Sequence, residues 1–162
     1  MDGKLRVGVV GLEEGLTMLI APDRNGMEAQ NVTVFGGCDS DPEKLQRARL
    51  MRPDLFYTQH FDELLRRPEI DIVAIYTPDS FHGEMIEASL DAGKHVICTK
   101  PLVNSMEDAR RVAASVRRCD KRLMVGQSTR FFESFLRQRA VKFRLGFNPR
   151  AQGQKLIHMH SG

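Results

Sequence analysis

Short apolar runs alternate with stretches in which apolar residues recur at helical spacing, and the alternation persists from Leu5 to Gly126. Leu5–Val10 reads as a buried strand broken by Gly11. A helix follows from about Gly15 to Ala21, stopped by Pro22, and Asp23–Gly26 has the composition of a loop. Val32–Phe35 predicts a second strand, running through Gly36 and Gly37 to Cys38 and Asp39. Asp41 as cap and Pro42 in the first turn start a helix reaching Met51. Asp62–Arg66 predicts a short helix closed by Pro68, and Ile70–Tyr76 is the most strand-like segment of the chain. Thr77-Pro78-Asp79 ends that strand. Ser80 is then expected to cap a helix through Ala92, with Gly93 as its stop. His95–Cys98 predicts the next strand. Ser105 with Asp108 resembles a capping box that opens a helix to Arg118, and Arg122–Gly126 predicts a final strand. Thr129–Leu145 has mixed helical periodicity, and Leu156–Met159 reads as one further strand.

Strands alternating with helices at this spacing predict a parallel sheet covered on both faces. Right-handed crossovers make it an α/β doubly wound sheet. The 162 residues suit one domain and the beginning of a second. The expected division is 1–128 for the sheet domain and 129–162 for a basic linker or helix with a possible first strand. Hydrophobic residues make up 41% and charged residues 28%, and no apolar run approaches the roughly 20 residues of a membrane helix. Cys38, Cys98 and Cys119 are an odd number without metal spacing, and the start of the chain lacks the apolar core of a signal peptide. Reduced thiols in a cytoplasmic protein are therefore expected.

Charge changes the picture only at the end of the chain. From Arg130 onward seven basic residues face one acid, Glu133, so that tail is +6 in a chain of net +3. A basic arm can signal nucleic acid. Its aromatic residues are all Phe and form no stacking series, so a solvated face is the preferred reading. His158 and His160 are two apart and read as the polar side of a strand, with no further ligand nearby to suggest a metal.

Chemistry concentrates at the strand ends, where open α/β sheets bind ligands. Gly11 stands at the tight turn of a dinucleotide fingerprint, with Gly8 inside the strand. The full G-x-G-x-x-G pattern is broken: Glu13 and Leu16 occupy its second and third positions, and Gly15 comes one place early. An inward-facing glutamate about 5 Å from a phosphate charge costs roughly 3 kcal/mol at an effective dielectric of about 20. The alternative is that Glu13 and Glu14 face solvent and stabilise the helix start. Asp39 ends the second strand, where a carboxylate accepts ribose hydroxyls and favours NAD over NADP. A turn aspartate within Asp39-Ser40-Asp41-Pro42 is the competing reading. Lys100, at the tip of a strand and followed by Pro101, is held in a stiff turn.

Together these segments resemble the N-terminal domain of the Gfo/Idh/MocA oxidoreductases. The resemblance lies in Arg6-Val7-Gly8-Val9-Val10-Gly11-Leu12, Cys38-Asp39, Tyr76-Thr77-Pro78-Asp79-Ser80-Phe81-His82, Ala92-Gly93-Lys94-His95-Val96, Thr99-Lys100-Pro101-Leu102 and Val125-Gly126-Gln127-Ser128-Thr129-Arg130-Phe131. The family's usual Glu-Lys-Pro is written here as Thr99-Lys100-Pro101. The resemblance implies a Rossmann-like fold that binds NAD or NADP, with Gly8, Gly11 and Leu12 at the phosphate turn and Asp39 on the ribose. It further implies that Thr77, Pro78 and His82 line the nicotinamide half beside Lys100 and Pro101. Lys100 would contact the substrate hydroxyl as the catalytic residue. His82 also reads as a plain polar first-turn residue.

The implied activity is oxidation at CH–OH groups of a sugar, polyol or inositol-like substrate. The family's second α+β domain supplies an acid/base histidine in an Asp-x-x-x-His pattern well beyond the lysine, and no such pattern follows Lys100 here. A non-catalytic dinucleotide-binding or regulatory module, or a truncated pseudoenzyme, is thus the alternative, and self-association stays open.

Overall fold

A computed structural model describes residues 3–20 and 31–127. Six strands form one all-parallel sheet: β1 (Leu5–Val10), β2 (Val32–Cys38), β3 (Phe56–Thr58), β4 (Ile72–Ile75), β5 (His95–Thr99) and β6 (Leu123–Gly126). Their order is β3-β2-β1-β4-β5-β6, with every neighbouring pair parallel. Helices α1 (Leu16–Ile20), α2 (Pro42–Met51), α3 (Phe61–Leu65), α4 (His82–Asp91) and α5 (Met106–Arg118) connect them. This is the doubly wound α/β order of a Rossmann fold. No helix among the described residues is long and apolar enough to cross a membrane.

The period of two along the strands builds two cores. Val7, Val9, Val34 and Ala74 pack with Leu16 and Leu19 of α1 and Leu45 and Ala48 of α2. Val10, Val73, Ile75, Val96 and Cys98 pack on the other face with Leu64, Ile86, Leu90 and Val112. Gly8 belongs to this second layer: a Cβ there would lie 2.9 Å from Ile70 Cδ1 and 3.0 Å from a Leu64 methyl. The glycine therefore lets α3 approach the sheet, and it is not part of the cleft described below.

Local chemistry sets the helix ends. The Asp41 carboxylate accepts the Glu43 N–H at 2.9 Å, with Pro42 opening α2. Ser105 accepts the Asp108 N–H at 3.0 Å and donates its hydroxyl to the Asp108 carboxylate. After α4, Gly93 turns left-handed at φ +74. The Gly93 and Lys94 amides then return to the carbonyls of Leu90 and Ser89, a Schellman closure. Lys94 is buried, and its ammonium donates to the Arg67 and Ile70 carbonyls at 2.8 and 2.7 Å. Burial lowers its pKa.

The structure differs from the pattern-based reading at several elements. β3 was not expected, because three residues, Phe56–Thr58, are too few to show alternation. Ser80 does not cap α4. It lies inside a 3-10 turn, Asp79–Phe81, and α4 begins at His82 without a side-chain cap. β4 is shorter than Ile70–Tyr76, β6 starts at Leu123, and β5 continues to Thr99. Within β2 the register with β1 slips by one residue between Val7 and Gly8, inserting Phe35 as a bulge. The loop at Asp23–Gly26, the segment 129–162, Arg130, His158 and His160 all lie outside the described residues.

Candidate functional site

The strand order reverses between β1 and β4, and a cleft of about 660 Å³ opens at the carboxyl ends of the strands there. Its floor and walls include Val10, Gly11, Cys38, Asp39, Thr77 and Pro78, and Phe81 and Met85 add apolar surface. Gly11, Asp39, Thr77 and Pro78 are thereby brought together from three strand ends.

Gly11 is held at φ +86, and a Cβ on it would lie 2.7 Å from the Tyr76 carbonyl. Only glycine fits both the left-handed backbone and that approach. Its N–H donates to the Cys38 carbonyl at 2.9 Å, which joins the turn to the end of β2. Gly15 completes the turn. Its N–H reaches the Gly11 carbonyl at 3.0 Å, and a Cβ there would lie 2.6 Å from both Gly11 O and Val9 Cγ1. It thus does the helix-to-strand packing that the third fingerprint glycine does elsewhere. Sequence reasoning left it out because its spacing is one residue short.

Asp39 takes two backbone donors, the Leu12 N–H at 2.7 Å and the Asp41 N–H at 3.0 Å. The second is the local turn bond; the first crosses to the glycine turn and fixes it. The two oxygens of a carboxylate offer about four acceptor positions, so each retains capacity for a hydroxyl. Leu12 contributes through this amide alone, because its side chain is buried against Gly37 in the α1 core.

Glu13, Glu14 and Lys44 also line the cleft. Glu13 does face it, and its carboxylate pairs with the Lys44 ammonium at 3.4 Å. The unpaired charge considered from sequence is thus balanced by a cation from α2. Tyr76 has its pKa raised by burial and then by Glu14. Burial, with Asp39 and Glu63 adding, pushes the Cys38 thiol up to about 12, so it is inert at neutral pH.

His82 occupies a different place from the one the resemblance implies. It is 1% exposed. Its Nδ1 lies 2.8 Å from the Pro101 carbonyl and 3.2 Å from that of Leu102, and its Nε2 lies 2.8 Å from the Thr77 carbonyl. Carbonyls only accept, so the ring N–H is the donor of this contact. His82 therefore ties the loop after β4 to the loop after β5 and does not line the cleft. Lys100, exposed at the end of β5, precedes a cis bond to Pro101. Neither residue lines the cleft itself; they stand at the next strand end, braced by His82.

The geometry matches a cofactor platform, and comparison with known proteins agrees. Residues 5–127 match the Gfo/Idh/MocA oxidoreductase family, NAD-binding Rossmann fold. The chain belongs to that family. A 1-carboxy-3-chloro-3,4-dihydroxycyclohexa-1,5-diene dehydrogenase of Comamonas testosteroni is 34% identical over 127 residues, which are 78% of this chain and 31% of that protein. Among solved structures, an NAD-binding protein from Listeria innocua superposes with TM-score 0.78 at 28% identity, covering 88% of this chain and 40% of the other. An apo scyllo-inositol dehydrogenase from Lactobacillus casei does so with TM-score 0.75 at 26% identity, covering 90% and 43%. The chain thus spans about a third to two fifths of these Gfo/Idh/MocA relatives.

Proposed function

We propose that this chain is the nucleotide-binding part of an NAD(P)-dependent oxidoreductase acting on a secondary hydroxyl of a sugar, polyol or inositol-like ring. The observation that carries the reading is the convergence of the Gly11 turn, the Asp39 carboxylate and the Thr77–Pro78 loop in one cleft at the strand reversal. The residues fit the group: Gly11 lets the turn after β1 lie against the Tyr76–Thr77 backbone where a Cβ would clash, and the Asp39 carboxylate has acceptor positions to spare. When bound, a nicotinamide dinucleotide would supply the hydride-accepting ring.

The chain's own residues supply position and charge. Asp39 accepts ribose hydroxyls while holding the Leu12 amide. Thr77 and Pro78 border the inner end of the cleft. Lys100 places an ammonium beside the substrate oxygen, where it stabilises the negative charge that develops as the C–H bond breaks. Two named relatives act on rings, a dihydroxycyclohexadiene and an inositol, and both carry hydroxylated ring carbons. That shared chemistry supports a ring hydroxyl as the reacting group.

Titration with NADH, followed by nicotinamide fluorescence, tests the reading. Micromolar binding that Asp39→Ala weakens about tenfold supports it. Absence of binding in the wild-type chain and in Glu13→Gly alike overturns it. A second reading, a dinucleotide-binding module without catalysis, is favoured by Glu13 in the glycine position and Thr99 in place of the family's acid. Cofactor binding without turnover of any cyclic polyol by the full protein would select it.

A further inference from the structure

Lys44 is the one basic side chain among the described residues that lines the cleft, and it is occupied. It projects from the first turn of α2, three residues beyond Asp41, at the same end of the cleft as Asp39 and Ser40. That is the end where a dinucleotide fold meets the adenosine ribose, and where a cation accommodates a 2′-phosphate. Glu13 reaches it from the glycine turn, 3.4 Å away. The Glu13 side chain is 68% exposed and that of Lys44 34%, so neither is locked by packing.

We propose that Glu13 and Lys44 form a charge latch that sets cofactor preference: Glu13 sequesters the lysine that would otherwise bind a 2′-phosphate. The inference rests on the cofactor reading above. A phosphate entering beside Ser40 gains Lys44 only by displacing Glu13, whose own charge opposes it. NAD needs no such displacement at its free 2′-hydroxyl, which Asp39 can accept. The glutamate thus does more than obstruct the pyrophosphate turn. It removes the phosphate-binding cation from service, and the chain prefers NAD with a lysine already in place for NADP.

The test is a double-mutant cycle on the full chain, with NADH and NADPH titrated separately against wild type, Glu13→Gln, Lys44→Met and the double variant. Gln is nearly isosteric, so the turn keeps its shape. Glu13→Gln should shift the NADPH-to-NADH affinity ratio about fivefold toward NADPH, in line with an exposed ion pair. In the Lys44→Met background the same substitution should leave that ratio within about twofold. The gain should shrink at about 0.5 M salt, where exposed charges are screened. An equal shift of the ratio with and without Lys44 overturns the latch and leaves simple repulsion by Glu13. So does equal tightening of both cofactors. NADH binding by the wild type confirms separately that the cofactor reading holds, so the two failures are distinguishable.

Discussion

Replacing His82 by phenylalanine removes the ring N–H of the brace while keeping a ring of similar size. The Thr77 and Pro101 carbonyls, each 2.8 Å from a ring nitrogen of the buried His82, then face an apolar edge. A buried carbonyl that loses its donor costs about 1–3 kcal/mol. One such loss places His82→Phe about 2 kcal/mol below wild type, a sizeable share of the roughly 5–15 kcal/mol that holds a domain together. Urea unfolding followed by circular dichroism reads this directly. With a slope of about 1–3 kcal/mol per molar, the midpoint should fall by about 1 M. His82→Gln, whose amide nitrogen can serve one side, should lose about half as much. A His82→Phe chain within about 1 kcal/mol of wild type would refute the brace, since it would mean that the carbonyls never depended on the ring.

Gly15→Ala should cost about 1–3 kcal/mol by the same unfolding assay and weaken NADH binding, because its methyl would sit 2.6 Å from the Gly11 carbonyl and Val9 Cγ1. An alanine variant that binds NADH like wild type would show that the short glycine spacing carries no packing role. Burial holds the Cys38 and Cys98 thiols up at about 12 against an ordinary 9.0. Above pH 9 the unfolded chain sheds protons that the folded chain keeps, so stability falls from about pH 9 to 12, by up to about 1.4 kcal/mol per pH unit for each thiol. Cys98→Ala should be less steeply destabilised between pH 9 and 10.5 than wild type. Equal slopes would refute the assignment.

The Glu13–Lys44 pair and the His82 brace are held differently. Beside the glycine turn, Asp39 fixes the backbone through Leu12, while the Glu13–Lys44 pair is solvent-accessible. His82 is buried and ties the loop that follows Lys100 to Thr77. Affinity and preference are thus expected to be more easily altered by mutation than the placement of the lysine.

Much of this was legible along the chain. Alternating strands and helices implied a doubly wound sheet because two-residue and helical periods are visible within single segments. Asp41, Pro42, Ser105 and Gly93 marked helix ends because caps are local chemistry. Gly11 and Asp39 pointed to the cleft because strand ends in such a sheet converge, and the family resemblance added Thr77 and Pro78. Other features depended on partners distant in sequence. Gly8 reads as a fingerprint glycine until Leu64 and Ile70 are seen packed on it. His82 reads as a lining residue until the Thr77 and Pro101 carbonyls enclose it.

The bulge at Phe35 is the clearest case. In an unbroken strand Phe35, Gly37 and Asp39 would share one face. The slip puts Phe35 with the α3 side of the sheet and Gly37 against Leu12 and Leu19, so that Asp39 meets the Leu12 amide. Likewise Glu13 and Lys44 lie 31 positions apart and become a pair only when the fold brings the turn and the start of α2 together. Periodicity and caps are properties of neighbouring residues, and the chain alone specified them. Register, burial and charge pairing are properties of contacts between distant segments, and these were settled only when the sheet closed.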